Sequence, residues 1–451
     1  MTEKKQISPR SLLADLRGRT NVVLIFFNTL WLFSDRILRM IISLFVGAWV
    51  ARYLAPSQYG IFNNALAITS LCAALSLLGL ESIVIRELVK KPNEHPQILG
   101  TAVILRLAMA GAIAIGTVVI VGVLPAYSEN SVLKWLVYVL SVGMIFQSFE
   151  IIDCYFQSQV KSKYTVVAKN VAYLLASMAK VLFIVAHFPL IYFGCAWTFE
   201  LVLGAAGLVV AYRSTGLDIR IWRFDWKWAR FLLLQSWPLY VAYSAAILYM
   251  KMDQIMIGSI LDSRSAGIFA AATKLYEIPF TIVIIASTSF FPALVQLYER
   301  DHRLFFRRYA QITWAYSVIG LVIAVVVWGF GRDIIRLLYG IEFSQAYSVV
   351  VIQMIGLIFF FNAGLRSSYL AISGQQRVIM VTSLFAAVAN ISLNFFLIPR
   401  LGIQGAAIAT GITQCLALLF SNVFFKSTER IFVIQLKSLF LIPAWRKDGN
   451  L

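Results

Sequence analysis

The sequence predicts an all-α integral membrane protein of about twelve transmembrane helices, arranged as two six-helix bundles. Three observations predict it. The first is composition: 60% of the 451 residues are hydrophobic and 13% are charged, against about 25% charged in a soluble domain. The second is segmentation, because long apolar runs recur with short polar breaks between them. A bilayer span takes roughly 20 apolar residues, as a helix, since lipid cannot satisfy backbone polar groups. The third is that Lys and Arg gather in alternate breaks, as they do when those breaks share one membrane face.

Residues 1–20 are polar and basic. The apolar stretch after them is longer than a signal-peptide core and lacks a small-residue cleavage site, so it is expected to be retained. The first helix is placed at 31–52. Val22 to Phe33 lengthen it and either tilt into the membrane or lie in its interface. The remaining helices are placed at 60–84, 98–124, 132–152, 164–186, 190–212, 231–260, 266–292, 308–330, 346–366, 377–398 and 404–425. Of the 39 Lys and Arg, 31 lie in the loops and tails, counting Arg52, Arg308, Arg366 and Arg377 at the segment ends with the loops. With the amino terminus in the cytoplasm, 26 of them face inward and five (Arg52, Arg264, Arg332, Arg336 and Arg400) face outward. Both termini are therefore expected in the cytoplasm, in a multi-pass protein. The same bias accounts for most of the +18 net charge, and it argues against a nucleic-acid partner because the charge is spread along one membrane face.

Asp218 to Phe231 alternates Trp222, Trp226 and Trp228 with Arg220, Arg223, Lys227 and Arg230. It reads as an interfacial helix on an anionic leaflet, or else as an ordinary basic loop. It divides the chain into a first bundle over 1–212, a linker over 213–230, a second bundle over 231–425 and a basic tail over 426–451. The bundles look like repeats. LAPSQYGIFNNA (Leu54 to Ala65) and LDSRSAGIFAAA (Leu261 to Ala272) share Leu, Gly, Ile, Phe and Ala at identical spacing. A looser echo links Pro189 to Gly194 with Pro399 to Gly405. Six helices per half gives repeats of the same orientation, an architecture of secondary transporters with a central cavity.

The chemistry is expected in charges that the bilayer penalises by roughly 2.5–3.5 kcal/mol at a helix centre. By helical rise, Arg36, Arg39, Arg106 and Lys169 fall in the cytoplasmic half. Lys180, Lys251 and Lys274 fall from mid-membrane outward. Together these cations make a ladder suited to an anionic substrate such as one bearing phosphate. Asp35, Glu200, Asp253 and Glu277 are candidates for holding the cations or carrying coupling ions. The alternatives are snorkelling for Arg36 and Arg39, and a purely structural i,i+3 pair for Lys274 and Glu277. Glu150 and Asp153 read as interfacial, and Pro279 as a kink site. The four cysteines are scattered and the three histidines form no cluster, so neither a disulfide framework nor a metal site is expected. No cofactor is expected, and no P-loop is present.

Three stretches carry a family resemblance: Asn28 to Phe62 (NTLWLFSDRILRMIISLFVGAWVARYLAPSQYGIF), Met252 to Pro279 (MDQIMIGSILDSRSAGIFAAATKLYEIP) and Leu397 to Ile412 (LIPRLGIQGAAIATGI). They resemble bacterial oligosaccharide and O-antigen flippases of the Wzx type, in the multidrug/oligosaccharidyl-lipid/polysaccharide exporter superfamily. The resemblance implies a non-enzymatic protein of the bacterial plasma (inner) membrane. It implies movement of an undecaprenyl-diphosphate-linked oligosaccharide from the inner to the outer leaflet by alternating access, coupled to an ion gradient. Membrane lipids, the polysaccharide polymerase and the chain-length machinery are the implied partners, and Asp253 sits where the family often has an acidic residue. Two other functions remain open on sequence: a proton- or sodium-coupled drug exporter of the same superfamily, and a non-transporting membrane scaffold.

Overall fold

A computed structural model describes residues 9–124, 130–417, 425 and 428–445, with side chains from Trp31 onward apart from a few positions. The described residues are helical and contain no strand. The end of the expected twelfth helix (418–424) and residues 426–427 and 446–451 of the basic tail lie outside them.

The first element, α1 (Pro9–Ser76), is two helices joined at Ala55, whose φ of 55° takes it into the left-handed region. Pro56 follows, and proline has no N–H to continue the ladder. The chain reverses here, so α1 supplies the first two spans. The second arm ends at Ser76 rather than at the expected residue 84. Leu78 and Gly79, both with positive φ, form a turn, and a short helix α2 (Glu81–Lys90) starts afresh. Gly79 is required there, because a Cβ would lie 2.7 Å from the backbone nitrogen of Tyr240.

The first bundle continues with α3 (His95–Val123), α4 (Ser131–Phe146), α5 (Ile151–Ser158), α6 (Lys163–Val185) and α7 (Ile191–Ser214). The second contains α8 (Trp226–Ile260), α9 (Ser263–Arg300), α10 (His302–Tyr339), α11 (Ala346–Ile372), α12 (Gln376–Leu401) and α13 (Ile403–Cys415). Ten stretches of the described residues are long and apolar enough to cross a membrane. The reversal at Ala55 makes the first of them two crossings, and α13 begins the twelfth. Large side chains such as Ile115, Val185, Val326 and Phe395 are exposed on the outer surface, as a lipid-facing wall requires.

The linker is not the expected interfacial helix. It has one 3-10 turn at Ile219–Ile221 and then runs extended to Asp225, which caps α8 by accepting from the Lys227 N–H at 2.7 Å. It is bonded to the first bundle by Arg223 N–H to Pro96 O at 3.2 Å, Asp225 N–H to Thr101 Oγ1 at 3.0 Å, and Trp228 Nε1 to Glu94 Oε2 at 3.0 Å. A two-residue alternation of Trp and basic residues suits such an extended strap. One end of the molecule thus carries Lys91, Arg223 and neighbouring basic residues, and is called the basic end below.

At the opposite end the bundles cross through the repeated motif. A Cβ on Gly60 would lie 1.7 Å from Ser263 O, and one on Gly267 would lie 1.9 Å from Pro56 O. The two contacts exchange under the same 207-residue offset that relates the repeats. The Arg52 guanidinium crosses to the carbonyls of Arg336 and Leu337, and Tyr59 meets Phe343 edge to face at 6.0 Å. Only glycine lets two backbones approach this closely.

Candidate functional site

Behind that seal, a cavity of about 480 Å³ lies between the bundles. The first arm of α1 contributes Arg36, Arg39 and Ser43, α6 contributes Tyr173, and α9 contributes Lys274, Glu277 and Thr281. Toward the basic end of that first arm, Ser34, Arg36, Ile37 and Leu38 are exposed.

The cations are held by geometry typical of helices. Arg36 and Arg39 share a face because they are three residues apart. Arg39 Nε donates to Asp35 Oδ1 at 2.8 Å, Nη1 approaches Glu200 Oε1 at 3.6 Å, and the guanidinium lies 4.8 Å from the Tyr173 ring centroid. Glu200 also reaches Lys180 Nζ at 3.7 Å, so one carboxylate from α7 ties α1 to α6. On α9, Lys274 Nζ donates to Glu277 Oε2 at 2.7 Å. Lys251 on α8 interacts electrostatically with both Glu277 and Lys274. These pairs are partly solvated, and such pairs add only about 0–1 kcal/mol of stability. Their structural role is to keep cations in a region that disfavours lone charge.

Counting charges around the cavity decides what it suits. Its lining carries three cations, Arg36, Arg39 and Lys274, against one carboxylate, Glu277. Asp35, Glu200 and Lys180 join this set through their ion pairs and Lys251 through its proximity to Glu277 and Lys274, five cations against three carboxylates in all. Among the described residues, Arg36 and Lys251 make no ion pair within 4 Å, whereas each of the other three cations does.

Two residues of the expected ladder stand apart. Lys169 donates to Asp153 Oδ2 at 2.7 Å in a small side pocket with Glu150 and Glu200. Asp153 therefore serves as a counter-ion rather than as an interfacial residue. Arg106 is 1% exposed and packs away from the cavity lining, donating from Nη2 to Glu81 Oε1 at 3.1 Å.

Asp253 is also elsewhere. It lies two residues from Lys251, which turns it to another side of α8, and it is 7% exposed within the second bundle. Its Oδ1 accepts from Asn394 Nδ2 at 2.6 Å, and its Oδ2 accepts from the Thr410 hydroxyl. Asn394 Nδ2 also donates to Asn390 Oδ1 at 3.1 Å, and Asn390 Nδ2 to Thr410 Oγ1 at 3.3 Å. Asp253 makes no ion pair among the described residues, so a buried carboxylate is held by neutral groups from α12 and α13. Composition gave no sign of Asn390, Asn394 and Thr410. Two asparagines one turn apart in an apolar helix were the available signal.

Residues 25–298 match the family described as Polysaccharide biosynthesis protein. The chain belongs to this family. Its fold is that of the multidrug/oligosaccharidyl-lipid/polysaccharide exporter superfamily. Among curated relatives, the capsular polysaccharide biosynthesis protein CapF of Staphylococcus aureus is 21% identical over 413 residues, covering 88% of this chain and 98% of that protein. The probable flippase AglR of Haloferax volcanii is 28% identical over 37% of this chain and 36% of its own length. The probable multidrug resistance protein YpnP of Bacillus subtilis is 25% identical over 48% and 49%. Two solved structures share the fold. An inward-facing multidrug resistance MATE family transporter of the MOP superfamily superposes with a TM-score of 0.71 at 14% identity, covering 89% of this chain and 96% of that one. The lipid II flippase MurJ, in an inward closed conformation, gives 0.70 at 16% identity and 94% coverage of both.

Proposed function

We propose that this polysaccharide biosynthesis protein is a flippase in the bacterial plasma membrane. It moves an undecaprenyl-diphosphate-linked oligosaccharide from the inner to the outer leaflet by alternating access. The observation that carries the proposal is the charge imbalance in and beside the cavity, with Arg36 and Lys251 making no ion pair within 4 Å among the described residues. A diphosphate meets two such point charges without displacing the existing pairs. The sugars occupy the polar space beside Ser43, Tyr173 and Thr281, and the polyprenyl tail stays in lipid. The basic end is cytoplasmic on the charge count, so the exposed stretch around Arg36 faces the side where the substrate is made, and the Gly60–Gly267 seal closes the outer side. Movement of the substrate requires that seal to open while the basic end closes.

Coupling is assigned to Asp253. A buried carboxylate ringed by Asn390, Asn394 and Thr410 offers acceptor oxygens to a proton or a small monovalent cation. Discharge of that cation changes the local charge where α8, α12 and α13 meet.

A drug exporter is the second reading, favoured by the similarity to YpnP. An excess of cavity cations opposes cationic drugs. Deletion of the gene separates the two. The flippase reading predicts loss of a surface polysaccharide with lipid-linked units retained in the inner leaflet. Intact surface polysaccharide together with hypersensitivity to several cationic drugs would establish the exporter instead.

A further inference from the structure

A cation bound at Asp253 must reach and leave a buried site, and the second bundle contains a line of polar groups leading from it. Tyr249 stands one turn before Asp253 on α8, and Gln414 one turn after Thr410 on α13. The two helices are antiparallel here, so both steps lead the same way, about 6 Å toward the basic end. Gln414 Nε2 donates to the Tyr276 hydroxyl at 2.9 Å. The Tyr249 and Gln414 side chains are neighbours, and neither the Tyr249 hydroxyl nor Gln414 Oε1 makes a hydrogen bond of good geometry. Below this rung lies a cavity of about 160 Å³ lined by Tyr249, Arg366, Thr382, Ser383, Thr413 and Gln414. Ser367, also in its lining, is exposed.

Two further atoms along the line, Asn394 Oδ1 and Thr413 Oγ1, are buried without a hydrogen-bond partner. A buried polar atom left unsatisfied costs about 1–3 kcal/mol. The Tyr249 hydroxyl, Gln414 Oε1 and Thr413 Oγ1 belong to residues that line the same cavity, and Asn394 Oδ1 belongs to the Asp253 cluster above it. Water or a passing cation satisfies them. Gly356 on α11 keeps the rung open, because a Cβ there would lie 2.6 Å from Gln414 Oε1.

We infer that the Tyr249–Gln414–Tyr276 rung and the cavity beneath it form the passage by which the coupling cation moves between Asp253 and the cytoplasmic end. The inference rests on the coupling role proposed for Asp253. Arg366, the charged residue in the cavity lining, repels a cation that has left Asp253, so the cavity works as an exit rather than a store. Gln414 is a positioning residue. It carries the cation past the narrowest point without being part of the Asp253 cluster.

The test uses the full-length protein reconstituted in vesicles. One arm measures equilibrium binding and release of radioactive sodium. The other measures proton uptake and release with a pH-sensitive dye after a pH jump. In whichever arm the wild type binds, Asp253→Asn should abolish binding. Gln414→Leu and Gly356→Ala should leave equilibrium binding within about twofold yet slow release at least about tenfold. Gln414→Glu, which keeps an acceptor at the rung, should release at the wild-type rate and guards against a variant that fails to fold. Release at wild-type speed by both Gln414→Leu and Gly356→Ala, with binding still dependent on Asp253, would overturn the passage alone. Loss of binding together with release in Gln414→Leu would make Gln414 a ligand and overturn it also. A wild type that binds neither sodium nor protons would remove the coupling role of Asp253 and the passage with it.

Discussion

The glycine crossing makes a quantitative prediction about the seal. In Gly60→Ala the new Cβ would sit 1.7 Å from Ser263 O, so the two backbones must separate by more than about 1 Å to restore contact distance. Overpacking of this kind costs about 1–3 kcal/mol, and it falls only on the state in which the bundles cross here. A bias of about 1–3 kcal/mol shifts a two-state balance roughly 5- to 150-fold toward the outward-open state. Gly267→Ala, 1.9 Å from Pro56 O by the same construction, should do the same. The double variant should fall short of the sum, because separating the backbones at one glycine relieves the other. The assay is labelling of Tyr339→Cys, in a background without Cys72, Cys154, Cys195 and Cys415, by a membrane-impermeant maleimide added outside. Tyr339 is 2% exposed and packs on Phe343 at the seal. Labelling should rise about fivefold or more in either glycine variant. Gly47→Ala, where a Cβ meets nothing within 4 Å, is the control and should leave the rate unchanged. Equal labelling in the wild type and both glycine variants, at normal membrane abundance, would refute the crossing as the outer seal.

Two further outcomes follow from the charges. Lys251→Arg should keep much of the transport activity, while Lys251→Ala and Lys251→Glu lose it. Adding Asp253→Ala to Lys251→Ala should give no rescue, because Asp253 bonds Asn394 and Thr410 instead; surface polysaccharide at matched protein level reads this out. Cysteines placed beside Arg223 should label only from the cytoplasm and those beside Arg336 only from outside, with reversed labelling contradicting the assigned orientation.

The spans were legible because bilayer thickness imposes a length that composition alone reveals. The repeat was legible too, through Gly60 and Gly267, although sequence could not say that these two glycines touch. The reversal at Ala55–Pro56 left the second helix misplaced by several residues, since a left-handed alanine has no sequence signature. Arg366 was placed at the very end of the 346–366 helix and its charge counted with the loop, yet α11 continues to Ile372 and buries it to 5% exposure. A single arginine after a long apolar run looks like a helix end. The cavity cations were legible as penalised charges, but their pairing was not. Arg39 meets Glu200 from another helix, and depth counting cannot tell Arg106, packed away from the cavity lining, from Arg36 beside the cavity. The Asp253 cluster joins residues 141 and 157 positions apart through neutral side chains, and only the fold brings them together.

Arg36 in the cavity lining and Lys251 beside it are proposed to receive the diphosphate of a lipid-linked oligosaccharide. The most direct measurement is the leaflet distribution of lipid-linked units in a deletion strain carrying wild type, Arg36→Ala, Lys251→Ala or both, at matched membrane abundance. The wild type should deliver the units to the outer leaflet, each single variant should retain a large share in the inner leaflet, and the double variant should retain nearly all of them. Wild-type delivery by the double variant would contradict the claim.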